Sequence, residues 1–121
     1  MPSIAPSVVE PALRTSADPL ARDLLARLER DTAASARAKT TRPFPRQEAL
    51  RIYRQKAAKG DRPTVRTDGY PALLAALEAA PGGAVIVHGV AFADAVYLVF
   101  TDPNRTHCLG MLRKRLLDRG S

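Results

Sequence analysis

The sequence predicts an α+β fold in which two to three N-terminal helices pack on a C-terminal three-stranded antiparallel meander. Two observations predict it. Apolar residues recur at helical spacing up to Pro81, whereas from residue 84 onward they alternate with a period of two, as in strands. The strand segments are joined by short connections, which suit antiparallel neighbours. The length of 121 residues is that of one domain.

The first predicted helix begins at Asp18-Pro19 and runs to about residue 37. Aspartate caps free N–H groups at a helix start, and proline suits the first helical position. Residues 1–17, which three prolines interrupt, are predicted to form a flexible tail. Residues 18–121 are predicted to form the single α+β domain. The apolar stripe of this helix consists of four leucines, Leu20, Leu24, Leu25 and Leu28.

Two further helices are predicted before the strands. The first covers residues 46–58, after the proline-rich break at residues 42–45. A polar loop with a short strand near Val65 follows it. The next helix starts at Tyr70 and stops at Pro81. Their predicted buried stripes are Ala49, Leu50, Tyr53 and Ala57 in the earlier helix, and Leu73, Leu74 and Leu77 in the later one.

The three strands of the meander are predicted at residues 84–92, 95–100 and 106–112, which are rich in β-branched and aromatic residues. A helix and the meander together therefore occupy residues 70–112. Residues 113–119 close the chain and are predicted to form a short basic helix.

Alternation divides the side chains of the meander between two faces. The first face is fully apolar and is expected to pack on helices: Val85, Val87, Val96, Leu98, Phe100, Leu109 and Met111. The second face is mixed but still rather apolar: Ile86, His88, Val90, Phe92, Tyr97, Val99, Thr101, Thr106 and Cys108. We expect the N-terminal helix, a second copy of the chain or a partner to cover the second face.

The excess of positive charge is concentrated in one part of the chain. Residues 36–66, called the basic segment below, hold 10 basic and 2 acidic residues, a net charge of +8. Residues 1–35 carry −1 and residues 67–121 carry 0, so this segment accounts for the whole net charge of +7. The segment is predicted to be mainly helical, with basic residues on the helix and on its flanks.

A helix flanked by basic loops suits the phosphate backbone of a nucleic acid, DNA or RNA, because Lys and Arg neutralise phosphates. Phe44 and Tyr53 lie in the same segment and would stack on bases if they were exposed. The alternative is a solvated face that keeps the protein in solution. The predicted phosphate contacts are Arg42, Arg46, Arg51, Arg54, Lys56, Lys59, Arg62 and Arg66.

A second functional hypothesis is a protein-binding adaptor or inhibitor. In it the basic segment docks on an acidic protein, or the sheet uses its mixed face or an open edge to bind a partner. The same face or edge also suits a homodimer. Phe92 and Tyr97 are the residues that we predict for such an interface.

No convincing catalytic or metal-binding set is readable in the sequence, so we predict a protein that is not an enzyme and uses no metal and no cofactor. His107 and Cys108 point to opposite faces of one strand, and a strand lies between His88 and Cys108. A remote alternative is a small RNA-cleaving toxin. Its candidate side chains are Tyr97, Arg105, His107 and Arg113.

The composition also bears on the compartment. The single cysteine, Cys108, cannot form an internal disulfide, which excludes a disulfide-stapled secreted scaffold. No apolar run is long enough for a membrane span, and acidic residues in the N-terminal region argue against a transit peptide. We therefore expect a cytoplasmic protein with no membrane partner.

Overall fold

The computed structural model describes residues 10–30, 37–59, 64–79 and 83–116. The elements in this part of the chain, in chain order, are α1 (Glu10–Arg14), α2 (Pro19–Arg30), β1 (Arg37–Thr40), β2 (Phe44–Pro45), α3 (Arg46–Lys59), β3 (Val65–Asp68), α4 (Tyr70–Ala79), β4 (Ala84–Ala91), β5 (Ala95–Thr101) and β6 (Cys108–Leu116).

The strands form an antiparallel sheet in the order β1-β4-β5-β6-β3. The two-residue β2 pairs with β4 at Phe44 and Val85, next to the part of β4 that pairs with β1. The mixed α+β class is confirmed, and β4-β5-β6 is an antiparallel meander. The prediction of a sheet with only three strands is wrong, because β1 and β3 extend it at both edges. Both are short polar strands, and edge strands do not require an apolar pattern.

The last strand is longer than predicted, at the expense of the C-terminal helix. Residues 113–116 do not start a helix but continue β6, where Arg113 pairs with Asp68 and Leu116 with Val65 of β3. The pair of Asp68 with Arg113 has opposite charges and stabilises this pairing, and Asp68 also accepts a hydrogen bond from Arg115, which lies opposite Arg66. Residues 117–119 lie outside the described residues.

The N-terminal part also differs from the prediction. Residues 10–14 of the predicted tail form α1, in which Leu13 is buried, while residues 1–9 lie outside the described part of the chain. The helix predicted to about residue 37 is described as far as Arg30, and Arg37 begins β1. The basic segment therefore holds α3 and parts of the sheet instead of being mainly helical.

Helices cover both faces of the sheet. On one face, Leu13 of α1 and Leu24 of α2 pack on Val90, Tyr97 and Val99. On the other face, α3 and α4 pack on a second set of strand residues, through Ala49, Tyr53, Leu73 and Leu77 against Val85, Val87, Phe100 and Leu112. The mixed face of the meander is thus covered by the N-terminal helices, one of the three covers that the sequence suggests.

A β-bulge changes the predicted facing of the third meander strand. Thr101 pairs with Cys108, whereas its neighbour Phe100 pairs with Gly110, so Leu109 is an extra residue in β6. Such an insertion reverses the alternation beyond it. Met111, predicted on the face of Val85, instead lies with the α1–α2 cluster. The facing predicted for β4 and β5 agrees with the two clusters.

Gly110 allows α4 to approach the sheet closely. A Cβ atom at Gly110 would lie 2.7 Å from Cδ1 and 3.4 Å from Cα of the buried Leu73. We predict that Gly110→Ala lowers the free energy of unfolding by about 1–3 kcal/mol, because the buried helix has to shift. Urea denaturation measures this free energy.

Gly89→Ala is the matched control for this test. It adds the same methyl group to the sheet, where the nearest neighbouring atom, Cδ2 of Leu98, is at an ordinary contact distance of 3.6 Å. We expect Gly89→Ala to be clearly less destabilising than Gly110→Ala. Equal losses in the two variants would contradict the close packing of α4.

Candidate nucleic-acid interface

The packing of α3 determines which of its side chains are available to a partner. Ala49 and Tyr53 are buried against the sheet, and the Tyr53 ring meets Phe100 edge to face at a centroid distance of 4.9 Å. Leu50 and Ile52 are half-buried beside them. The rest of α3 is largely exposed. Its exposed residues are four cations, Arg51, Arg54, Lys56 and Lys59, together with Gln47, Glu48, Gln55 and Ala58.

This exposed face is strongly positive. Over its 14 residues α3 has five basic residues and one acidic residue, Glu48, a net charge of +4. Arg51 pairs with Glu48 at 3.1 Å, and Arg54 pairs with Glu78 of α4. All four side chains are about half exposed or more. Exposed ion pairs contribute little free energy, so both guanidinium groups can exchange a carboxylate for a phosphate.

Two of the remaining cations of the basic segment lie beside α3. Lys39 is exposed on β1, and Arg42 is exposed on the connection between β1 and β2. Arg66 is exposed on β3 but does not flank α3, because it lies opposite Arg115 and therefore on the α1–α2 face of the sheet. The Lys56 ammonium lies 5.2 Å from the centroid of the Tyr53 ring. Arg62 lies outside the described residues. The described cations on the α3 side thus extend from the β1 edge of the sheet along α3.

Arg46 differs from the other predicted phosphate contacts because the fold itself engages its guanidinium. Its Nη1 donates to the carbonyls of Leu77 at 2.8 Å and of Glu78 at 3.2 Å. These carbonyls belong to the last turn of α4, which carries the negative end of the helix dipole. Arg46 therefore links the start of α3 to the end of α4. Its guanidinium group is engaged within the fold, unlike those of the exposed arginines.

The aromatic residues predicted for base stacking and for a protein interface do not lie free on the surface. Tyr53 belongs to the core, which excludes it from base stacking in this structure, and Phe44 is half-buried against the same cluster. Phe92 and Tyr97, the predicted interface residues, are 7% and 1% exposed beneath α2. A partner would reach them only if α2 moved away.

The residues considered for chemistry are not brought into one site. Tyr97 and Arg113 are cross-strand partners, but Arg105 and His107 lie in the β5–β6 connection. That connection begins after Thr101, about 13 Å along the strand from Tyr97. His88 is buried, and its Nε2 forms a hydrogen bond with the Thr101 hydroxyl at 2.9 Å. Within the described ranges, no group of three or more His, Cys, Asp or Glu residues is placed to hold a metal ion.

Sequence reasoning missed a second charged cluster, on the face of the sheet covered by α1 and α2. The sequence predicts residues 113–119 as a short basic helix and does not connect them with α2. In the structure Arg113 pairs with Asp23, and Arg27 pairs with Asp94. The signal for the cluster is the density of arginine, with three in α2 and two in β6, without any pairing pattern.

No family model, curated protein or solved structure matches this chain. Among the helices in the part of the chain that the structure describes, none is long and apolar enough to cross a membrane.

The role of Arg46 leads to a stability prediction. Arg46→Met keeps most of the apolar stem but leaves the Leu77 and Glu78 carbonyls without their donor. We expect it to lower the free energy of unfolding by about 1–3 kcal/mol. Lys59→Met, at the exposed end of α3, should change it by no more than about 0.5 kcal/mol. If urea denaturation gave equal values for both variants, Arg46 would be a surface cation like the others.

His88 leads to a prediction about pH. Burial, and secondarily the charge of Arg105, lowers the pKa of His88 to about 4 from its usual 6.5. The unfolded chain therefore binds a proton at a higher pH than the folded one. We predict that the contribution of His88 to the free energy of unfolding is fully present above pH ~6.5. This free energy falls by about 3 kcal/mol as the pH drops toward ~4.

The test is the free energy of unfolding of the wild type, His88→Gln and His107→Gln over this pH range. His88→Gln should remove most of the pH dependence, whatever its effect at neutral pH. His107→Gln should keep it, since His107 is exposed. A His88→Gln variant with the wild-type slope would contradict the assignment.

Proposed function

We propose that the protein binds nucleic acid without catalysis, by phosphate contacts from one basic surface. This surface consists of six exposed, described cations of the basic segment on α3 and beside it on the same side of the sheet: Lys39, Arg42, Arg51, Arg54, Lys56 and Lys59. The observation that carries the proposal is the division of α3 into a buried apolar stripe and an opposite face on which its cations collect.

The binding energy would come mainly from the release of counterions. Each phosphate neutralised by Lys or Arg frees condensed cations from the nucleic acid, so affinity falls with rising salt. Six such contacts correspond to a loss of roughly a thousandfold in affinity between about 50 and 200 mM salt. The exposed pairs of Arg51 with Glu48 and of Arg54 with Glu78 hold these side chains near the surface without competing strongly.

The same geometry favours binding that depends little on base sequence. Phosphate contacts fix a protein on a nucleic acid but do not distinguish bases. The aromatic ring of α3, Tyr53, is in the core, so α3 offers no exposed ring for stacking. Gln47 and Gln55 are the uncharged polar side chains that lie among the cations on the exposed part of α3.

Charge reversal on α3 tests this proposal. The double variant Arg51→Glu/Arg54→Glu places two negative charges at the centre of the basic surface. We predict that it abolishes binding at about 200 mM salt and, at about 50 mM, leaves weaker binding with a smaller salt slope. Fluorescence anisotropy with mixed-sequence duplex DNA and with single-stranded RNA measures both quantities.

The matched control is Arg14→Glu/Arg22→Glu, on α1 and α2. Both arginines are exposed, and the net charge changes by the same amount. The control should retain the wild-type salt slope and most of the affinity. Equal losses in the two double variants would show that only net charge matters and would contradict the site. If the wild type bound neither nucleic acid at the lower salt, the proposal would fail and an acidic protein would become the partner to test.

A further inference from the structure

A pocket of about 360 Å³ lies beside α2, on the face of the sheet opposite to α3. Of the residues that the structure describes, its lining includes four arginines, contributed by α2 and by the end of β6: Arg27, Arg30, Arg113 and Arg115. We call it the arginine pocket. Tyr97 of β5 also lines it, and so do two aspartates, Asp23 and Asp94. The charges of the lining residues therefore sum to +2.

Two of the arginines are held in place by aromatic rings beneath them. The Arg27 guanidinium carbon lies 4.2 Å from the centroid of Phe92, and that of Arg113 lies 5.9 Å from the centroid of Tyr97. Only 18% of the Arg27 side chain and 22% of the Arg113 side chain are exposed. Cations fixed in this way lose little conformational entropy when they bind an anion.

The aspartates that pair with these arginines are far more accessible. Asp94, which accepts two hydrogen bonds from Arg27, is 64% exposed. Asp23, which accepts from Arg113 at 2.8 Å and from the Tyr97 hydroxyl, is 49% exposed. The cations thus belong to the pocket wall, whereas the carboxylates are at its solvent side. Water compensates a carboxylate that swings away, so an anion can replace it at low cost.

Asp68 differs from Asp23 and Asp94, because it holds two arginines of the pocket wall in position. It accepts hydrogen bonds from Arg113 at 3.2 Å and from Arg115 at 2.7 Å. Its side chain is 30% exposed, and it lies on β3, which pairs with β6. This contact positions the two β6 arginines whether or not an anion is present. Even with Asp68 included, the cluster retains a net charge of +1.

We propose that the arginine pocket binds a small phosphate monoester, which takes the places of Asp94 on Arg27 and of Asp23 on Arg113. The planar guanidinium group forms paired hydrogen bonds with phosphate oxygens as it does with carboxylate oxygens. One phosphate dianion carries the combined charge of the two aspartates that it displaces, so it can serve both arginines at once, which a single carboxylate cannot. The volume is within the range of small-molecule pockets and leaves room for the group that carries the phosphate. The inference does not rest on the proposed nucleic-acid binding, because the basic surface lies on the other side of the sheet.

The first test is a titration of the full chain with inorganic phosphate at constant ionic strength in chloride, above neutral pH, where phosphate carries two charges. Amide NMR shifts report the position of binding. We expect saturable shifts around Arg27, Tyr97 and Arg113, and weaker binding of acetate, which carries one charge. Absence of saturable shifts at these residues, or equal affinities for acetate and phosphate, would overturn the proposal.

Three variants distinguish a binding site from a structural ion-pair network. Arg27→Gln should weaken phosphate binding at least about tenfold, because paired charge-assisted hydrogen bonds are lost. Arg22→Gln, an exposed arginine on the same helix, should bind as the wild type does. Asp94→Asn should bind phosphate more tightly than the wild type, since the competing carboxylate is gone.

The Asp94→Asn result is the most informative one, because a purely structural network predicts no gain in affinity. If Asp94→Asn bound phosphate no better than Arg22→Gln does, displacement of Asp94 would be wrong. The variant Arg51→Glu/Arg54→Glu should keep phosphate binding in the pocket. The nucleic-acid proposal and the phosphate proposal can therefore be contradicted independently of each other.

Discussion

In the middle strand of the meander, Val99 and Phe100 are neighbours in sequence, point to opposite faces of the sheet and are both fully buried. Each apolar face of the sheet must therefore be covered by other elements, because an uncovered face would expose a large apolar patch to solvent. The chain meets this requirement with α1 and α2 over Val99 and with α3 and α4 over Phe100. The two helical layers, and the outer surfaces that they present, follow from this constraint.

Only a narrow stripe of each helix is needed to cover the sheet. The rest of the helix surface stays exposed and can carry charge. In α3, two residues are fully buried, and in α2 likewise two, Ala21 and Leu24. Cations that the core excludes then collect on the outside of α3. On the other layer, arginines of α2 and β6 meet over the rings of Phe92 and Tyr97. The sheet therefore separates two basic regions of different character, one exposed and extended, the other a pocket with fixed guanidinium groups.

The periodicity of apolar residues is sufficient to predict the central features of the fold. It does not predict contacts between residues that are far apart in the sequence. The meander, the buried stripe of α3 and the exposed cations are all local patterns. Strand β3 agrees with the short strand predicted near Val65, whereas β1 was not predicted, because an edge strand needs no apolar alternation. The inserted Leu109 is invisible to a strict period of two. The contacts of Arg46 with α4 and of Arg27 with Asp94 join residues 31 and 67 positions apart, which no local pattern encodes.

The most direct test of this account is to map the residues that nucleic acid contacts. The measurement is the change in backbone amide NMR shifts when a short mixed-sequence DNA duplex is added to the full chain at low salt. We predict changes concentrated in α3 and around Lys39 and Arg42, with α1 and α2 little affected. Changes concentrated in α1 and α2, or spread evenly over all exposed cations, would contradict the division of the molecule by its sheet.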